Sequence, residues 1–188
     1  MNGSFIKSCK GFSLVELMIG IAIFSVVIGL GIPAYKEFIQ NTLIRSTAES
    51  ILNGLQLAKA EAVKRNAQVI FTLGTNAAWT VGCYVVVGDN NGDGKTDCPA
   101  IIQSYSKSEE SSSITVKATP ATASSVIFSS LGTIVTNANT FNYISVDADP
   151  DKLSSEKSND LRIALGSGGN VKMCDPNVTE SNDSRKCE

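Results

Sequence analysis

Glu16 has the most distinctive chemical surroundings in the sequence, because it is a carboxylate inside an apolar run. Residues 12–32 read FSLVELMIGIAIFSVVIGLGI, and Glu16 is their only charge. A carboxylate in a membrane-spanning helix costs about 2.5 to 3.5 kcal/mol on insertion scales, so it is retained where a partner or a function compensates. Such a partner would be a positive charge on another chain. The alternative is a glutamate that reaches the membrane interface from the helix start.

The apolar run has the length and the flanks of a retained membrane segment. Its 21 residues, at about 1.5 Å each, cross a hydrocarbon core of roughly 30 Å. Lys7 and Lys10 are the charges of the polar leader, and the positive-inside rule keeps them cytoplasmic. No small-residue cleavage site follows Ile32, where a secretory signal would end. The sequence therefore predicts a single-pass membrane protein whose remaining chain faces the other side.

The junction in front of the apolar run carries a specific motif. Residues 11–17 read GFSLVEL, and the apolar helix that follows contains Pro33. The motif resembles the class III signal of type IV prepilins and type II secretion pseudopilins. The resemblance implies that a prepilin peptidase cuts between Gly11 and Phe12 and methylates the new N-terminus. It also implies that Pro33 bends the helix and that Glu16 neutralises the Phe12 amine of a neighbouring subunit during assembly.

A second helical pattern covers residues 34–66. An apolar stripe with spacings of four and three residues predicts an amphipathic helix that packs on a sheet. Its members are Ile44, Ala48, Ile51, Leu55, Ala58 and Ala62. The opposite face is polar and includes Ser46, Glu49, Asn53 and Lys64. Together the two segments predict one helix from Phe12 to about Arg65.

The rest of the chain predicts a β-rich head. Short β-branched runs separated by Gly, Asn, Ser and Asp are typical of strands joined by turns. The predicted strands cover residues 68–73, 79–87, 101–106, 114–118, 126–129, 142–146, 161–165 and 170–173. We expect an α+β fold of the type IV pilin kind, a long N-terminal helix packed on an antiparallel head. Its parts are a cleaved leader (1–11), a membrane or pilus-core half-helix (12–33), an amphipathic half-helix (34–66) and the head (67–188).

Several sequence segments from residue 57 onward narrow the resemblance to one group within this family. They are LAKAEAVKRNA at 57–67, WTVGC at 79–83, DNNGDG at 89–94, LRI at 161–163 and GNVKMCDP at 169–176, with Phe128 and Gly132 between them. They resemble minor pilins of the FimU and FimT type and pseudopilin H. The resemblance implies a minor subunit that starts or caps a fibre. Its implied partners are other minor and major pilins or pseudopilins, the prepilin peptidase and an inner-membrane assembly platform, with the head in the periplasm before incorporation into a pilus or pseudopilus.

The five cysteines divide at the cleavage site. Cys9 lies in the leader, so four remain in an oxidising compartment, Cys83, Cys98, Cys174 and Cys187. Four cysteines allow three pairings, of which nearest-neighbour loops favour Cys83 with Cys98 and Cys174 with Cys187. Four thiolates on zinc are disfavoured, because no C-x-x-C pair is present.

A calcium-like spacing follows Cys83. Asp89, Asn91, Asp93 and Asp97 match the oxygen ligands that open an EF-hand loop. The twelfth position is Ala100, where a bidentate glutamate is needed. Asn, Gly and Asp are also the residues of hairpin turns, so the turn is favoured over the metal site and no cofactor is expected.

DNA binding is the second function that the resemblance raises. FimT-type relatives use a Gly-Arg-x-Arg motif, and the matching positions here are Gly169, Asn170, Val171 and Lys172. Residues 67–188 hold nine basic and fourteen acidic residues, a net charge of −5 that repels phosphates on average. A DNA contact would depend on Lys172, Arg185 and Lys186. DNA is therefore not expected as a partner.

Three functions stay open, and all of them are non-enzymatic. The favoured one is a structural minor pilin, and the alternatives are a pilus-borne DNA-uptake receptor and a minor pseudopilin of a type II secretion system. The chain contains no histidine, and its serines lack a base at catalytic spacing. The sequence does not distinguish a pilus from a secretion system.

The assigned cleavage site is testable by enlarging the residue before the cut. We expect Gly11→Ala to impair processing, because the resemblance requires the smallest side chain at that position. Mass spectrometry of the membrane fraction measures the share of chains that begin at Phe12. Gly3→Ala, elsewhere in the leader, is the matched control and is expected to be processed normally. A mature N-terminus at normal yield from Gly11→Ala would contradict the assignment.

Overall fold

The computed structural model describes residues 11–89, 92, 97–106 and 113–187, except for the side chains of Leu30, Gly31 and Pro33. The chain divides into two compact units, Met1–Phe38 and Ile39–Glu188. The leader residues 1–10, with Cys9, and the candidate calcium ligands Asn91 and Asp93 lie outside the described residues.

One helix, α1, spans Leu14–Arg65 and confirms the predicted long N-terminal helix. Among the described residues it is the one helix that is long and apolar enough to cross a membrane by length and composition, and its most apolar window is wholly exposed. Glu16 lies in its first turn, and Lys64 and Arg65 lie in its last turn. This distribution of charge complements the helix dipole at both ends.

The amphipathic stripe of α1 is buried as predicted. All six of its members, from Ile44 to Ala62, have no exposed surface. The helix ends where Asn66 adopts a left-handed φ of 49°, which lets the Ala67 N–H donate to the Ala62 carbonyl over 3.1 Å. This hydrogen bond satisfies a carbonyl that the helix end would otherwise leave open.

In the part of the chain that the structure describes, nine strands follow α1 in two antiparallel sheets. They are β1 (Val69–Leu73), β2 (Trp79–Cys83), β3 (Gln103–Tyr105), β4 (Ile114–Thr119), β5 (Ser125–Phe128), β6 (Ile134–Val135), β7 (Tyr143–Ala148), β8 (Leu161–Leu165) and β9 (Val171–Cys174). The first sheet has the order β3-β2-β1-β5-β6, and the second has the order β4-β7-β8-β9. This arrangement confirms the α+β class and the antiparallel sheet.

Two details of the strand prediction are wrong. The predicted strand at 79–87 ends at Cys83, because the Cys83 N–H donates to the Pro99 carbonyl and Val87 forms only an isolated bridge with Cys98. Residues 84–87 are therefore one arm of a loop that a disulfide bond closes. The two-residue strand β6 was not predicted, since Ile134 and Val135 are too few to show an alternating pattern.

The hydrophobic core lies between the α1 stripe and the inner faces of the sheets. Its largest fully buried side chains include Phe71, Phe128 and Phe141. The Phe71 ring packs on Trp79 and on the edge of Phe141, with centroid distances of 5.9 and 6.3 Å. Every residue of the buried cluster lies between Ile44 and Ile163. The unit Ile39–Glu188 therefore contains its own core and is expected to fold as a separate fragment.

Gly54 marks the closest approach of α1 to the first sheet. A Cβ at this position would lie 2.8 Å from Phe71 Cε2 and 2.9 Å from Trp79 Cδ2. We expect Gly54→Ala to destabilise the 39–188 fragment by about 1 kcal/mol, because overpacking exceeds the gain in helix propensity. This corresponds to a fall in melting temperature of roughly 2 to 4 °C, measured by circular dichroism.

Gly88→Ala is the control for Gly54→Ala, because an added Cβ there meets no atom of the described residues within 4 Å. We expect its melting temperature to match that of the unchanged fragment. A Gly54→Ala variant at least as stable as Gly88→Ala would contradict the tight contact.

Candidate assembly and binding surfaces

Phe12 and Glu16 lie on the same face of the first unit. Their side chains line a shallow depression together with Leu17, Gly20, Ile21 and Phe24. Phe12 is 79% exposed, and Gly11 before it is also exposed. The arrangement places one carboxylate at the rim of an otherwise apolar surface, four residues after the predicted new N-terminus. Pro33 lies within α1, and its predicted bend stays a prediction.

Two disulfide bonds close loops in the second unit. Cys83 is bonded to Cys98, with a Cα–Cα distance of 5.6 Å, and Cys174 is bonded to Cys187, with a distance of 5.0 Å. The first bond closes the loop that follows β2. The second ties the C-terminal tail to the end of β9, where Asp175 and Lys186 also form an isolated bridge. Closing loops of this size stabilises a fold by about 3 kcal/mol in the chain-entropy model.

The calcium-like loop has a turn at its start. The Gly92 N–H donates to Asp89 Oδ1 over 2.6 Å, and Gly92 has a φ of +78°. Near the other end of the loop, Arg65 Nη1 donates to the backbone carbonyl of Asp97. Among the described residues, no group of three histidine, cysteine or acidic side chains could hold a metal ion. In the described part of the loop, Asp89 therefore acts as a turn residue.

Arg185 and Lys172, two of the residues named for a possible DNA contact, have partners within the protein. Arg185 Nη2 pairs with Asp183 Oδ2 at 2.7 Å, and Lys172 Nζ donates to the Lys186 carbonyl over 3.4 Å. The hydrogen bonds from the Arg185 guanidinium lower the pKa of Asp183 to about 2, so this carboxylate stays charged. Lys172 and Lys186 line a depression that also includes Asp183. The tail surface therefore has mixed charge.

Residues 169–172, which match the positions of the Gly-Arg-x-Arg motif, begin with a glycine that has a structural role. Gly169 has a φ of +76°, and its carbonyl accepts a 2.9 Å hydrogen bond from Lys59 Nζ on α1. A Cβ at Gly169 would collide with the backbone of Gly132. The turn between β8 and β9 is thus held between α1 and the turn before β6.

A pair of carboxyl groups on the second sheet was missed by the sequence reasoning. Burial, together with the neighbouring Asp147 carboxyl, raises the pKa of Asp160 to about 6. Asp147 accepts a 2.9 Å hydrogen bond from the Ser158 hydroxyl, while Asp160 Oδ1 is buried without a hydrogen-bond partner. The alternation of β7 could have placed Asp147 opposite the buried face, but nothing local indicates that Asp160 lies beside it.

A groove with an aromatic floor lies beside the first sheet, and we call it the β3 groove. It lies between α1 and the β2–β3 edge, and its described lining residues are Ser46, Glu49, Ser50, Asn53, Leu57, Trp79, Gln103 and Tyr105. The Trp79 indole N–H donates to the Ser50 hydroxyl over 3.1 Å, which fixes the ring against the helix. Sequence reasoning named Glu49 and Asn53 only as members of a polar face.

Comparison with known families matches most of the chain. The family described as Type II transport protein GspH matches residues 47–185, and the prokaryotic N-terminal methylation motif matches residues 6–32. The long N-terminal helix, the antiparallel head and these two matches define a pilin-like protein. The chain belongs to the GspH family, which confirms the predicted relationship to pseudopilin H.

Two solved structures also resemble the chain, both of the type IV minor pilin FimU from Pseudomonas aeruginosa strain PAO1. The first is 16% identical, has a TM-score of 0.49, and covers 72% of this chain and 91% of its own. The second is 16% identical, has a TM-score of 0.47, and covers 69% and 90%. No curated protein matches the sequence.

Membership of this family defines the general role of the chain. Its members are structural pilins and pseudopilins, and they assemble with other pilins. The methylation motif and the exposed apolar helix indicate membrane anchoring and incorporation into a fibre.

The Asp147–Asp160 pair predicts a pH dependence of stability. With a folded pKa of about 6 against an ordinary 3.8, Asp160 holds a proton that the unfolded chain has lost between these two pH values. The free energy of unfolding therefore falls as pH rises through this window and stays lower above it. Solvent screening limits the effect to on the order of 1 kcal/mol, since Asp160 is only partly buried.

We expect Asp160→Asn to remove this part of the pH dependence. The variant of the 39–188 fragment should melt roughly 2 to 4 °C above the unchanged fragment at pH 7.5 and close to it at pH 4. Scanning calorimetry at several pH values measures the difference. Glu156→Gln, at an exposed position, is the control. Identical pH profiles for Asp160→Asn and the unchanged fragment would contradict the coupling.

Proposed function

We propose that this chain is a minor pilin that helps to initiate or cap a type IV pilus. A prepilin peptidase removes residues 1–11, and an inner-membrane assembly platform receives the mature subunit. Residues 12–33 form the membrane and fibre-core half of the helix, and the amphipathic half at 34–66 supports the head at 67–188. Before assembly the protein crosses the inner membrane once, with its head in the periplasm.

The observation that carries this proposal is the exposed apolar surface of the first unit. Leu14, Val15, Leu17, Met18, Ile19 and the aliphatic side chains that follow are each more than half exposed, up to Val27. An apolar patch of this extent is unstable in water and marks a contact with lipid or with other proteins. A membrane before assembly and a helical bundle after it both supply that contact.

The proposed role of Glu16 is to set the register in which the helices of neighbouring subunits pack once they leave the membrane. A carboxylate facing lipid is costly, and an α-amino group on a neighbouring Phe12 offers a charge of opposite sign. Each pair formed between subunits removes two unpaired charges from the apolar layer. The pairing therefore favours assembly and aligns one subunit against the next.

The two disulfide bonds support a periplasmic head. Both lie in the second unit, and such bonds persist in oxidising compartments rather than in the cytosol. The proposal assigns no catalytic activity to this unit and no cofactor. Its role is contact with other minor pilins.

A minor pseudopilin of a type II secretion system is the second candidate. The matching family is described as a type II transport protein, which favours this reading specifically. Deletion of the gene separates the two candidates. Loss of surface pili with secretion intact supports the pilus role, and loss of secretion with pili intact supports the secretion role.

A DNA-uptake receptor has less support. Arg185 is neutralised by Asp183, and Lys172 is engaged by the tail backbone. The head carries a net charge of −5, so phosphates gain little from approach.

The role of Glu16 is testable in the fibre. We expect Glu16→Gln to reduce the amount of this chain in sheared fibres by about tenfold, because one unpaired amine then remains in the apolar layer at a cost of about 1.4 kcal/mol or more. Quantitative mass spectrometry of the fibre fraction measures the change. Membrane levels and cleavage at Phe12 should stay normal.

Met18→Leu is the matched control, because Met18 is also exposed on the same helix and the change keeps an uncharged apolar side chain. It should enter fibres at close to the normal level. Normal incorporation of Glu16→Gln would contradict the charge pairing.

A further inference from the structure

A stack of three aromatic rings ends at the β3 groove. Trp79 is stacked on Phe71 on one side, and on Tyr105 on the other with a centroid distance of 5.8 Å and an interplanar angle of 18°. Phe71 and Trp79 are buried, whereas Tyr105 is only partly buried and belongs to the terminal strand. Tyr105 is thus the outermost ring of a rigid aromatic series and is presented at the sheet edge.

The charge of the β3 groove favours a cation. Among the described residues that line it, Glu49 is the only charged one, and the other polar groups are hydroxyls, amides and the Trp79 indole N–H. Glu49 pairs with Arg45 at 2.9 Å, but both side chains are largely exposed, at 48% and 71%. A pair of this kind contributes at most about 1 kcal/mol, so a second cation can compete for the carboxylate.

The outer edge of β3 adds backbone groups to the same place. Within the described part of the chain, β3 is the last strand of its sheet and pairs only with β2. Its residues Gln103, Ser104 and Tyr105 include no lysine or proline, the residues that commonly protect an edge. By contrast, the tail bridge of Asp175 with Lys186 lies at the end of β9, and Ile134 of β6 donates to the Ser167 carbonyl.

We propose that the β3 groove binds an extended, arginine-bearing segment of a neighbouring pilin subunit. The segment adds a strand to the free edge of β3, and its guanidinium stacks on Tyr105 and pairs with Glu49. This inference rests on the proposed function, since it assumes that the head contacts other subunits. It goes further by locating the contact and by stating the chemistry of the partner.

The exposed ring, the carboxylate and the free strand edge together favour an arginine that belongs to a peptide. A planar guanidinium stacks on a phenol ring and binds a carboxylate at the same time, which a lysine ammonium does less well. The protein already contains such a contact, since Arg162 Cζ lies 4.3 Å from the centroid of the Tyr143 ring. A saccharide would also stack on Tyr105, but it would leave the strand edge and the Glu49 charge unused.

The test uses the full chain in cells that assemble the fibre. Glu49→Lys reverses the groove charge, and Tyr105→Leu removes the ring while keeping an apolar side chain. We expect each to lower the amount of this chain in fibres by about tenfold, or 1.4 kcal/mol. Glu156→Lys is the matched charge reversal at an exposed position outside the groove, and it should have no effect. Normal membrane levels of every variant exclude misfolding as the cause.

A photo-crosslinking amino acid in place of Ser104 identifies the occupant directly. We expect a product with a pilin or pseudopilin subunit, joined through a segment that contains arginine, and no such product from the same reagent in place of Glu156. A saccharide product, a subunit joined through a segment without arginine, or no product from Ser104 would overturn the proposal. So would normal incorporation of Glu49→Lys and Tyr105→Leu.

The unchanged chain separates this inference from the proposed function. If the unchanged chain is absent from fibres, the subunit role fails. If it is present and the groove variants enter equally well, only the groove inference fails.

Discussion

The packing of one helical stripe against two sheets is the interaction on which the second unit depends. The fully buried side chains of α1, from Ile44 to Ala62, supply one wall of the core, and Phe71 and Ile163 supply part of the opposite walls. Small alanines in the stripe and Gly54 beside it let the helix approach the strands closely. Loss of this approach would separate the sheets from their common support, because each sheet has only one apolar face to bury.

The same close packing determines which parts of the surface are left for partners. Loops that face α1 are held by specific contacts, such as the Lys59 hydrogen bond to Gly169 and the Arg65 hydrogen bond to Asp97. The tail is held by Cys174 and Cys187. The groove between α1 and β3 has no such cover in the described residues, and so it differs physically from the β6 and β9 edges.

Local patterns were sufficient to predict the helix, its buried stripe and eight of the nine strands found in the described residues, because spacing along the chain encodes which face is apolar. Features that depend on strand register were not predictable. Phe71, Trp79 and Tyr105 meet only because of the register of three strands. Trp79 of β2 pairs with Leu73 of β1 on one side and with Tyr105 of β3 on the other. The Asp147–Asp160 pair likewise joins a residue of β7 to the residue just before β8, and no local pattern indicates that they are close.

Trp79 is the only tryptophan of the chain, and its position makes it an intrinsic optical probe. Its indole touches the helix through Ser50, the sheet through Phe71 and the groove through Tyr105. Emission from this single residue therefore reports separation of the helix from the sheet as a shift to longer wavelength, because water then reaches the ring. A change confined to Tyr105 would alter the intensity with a smaller shift. One spectrum can thus distinguish opening of the core from events at the sheet edge.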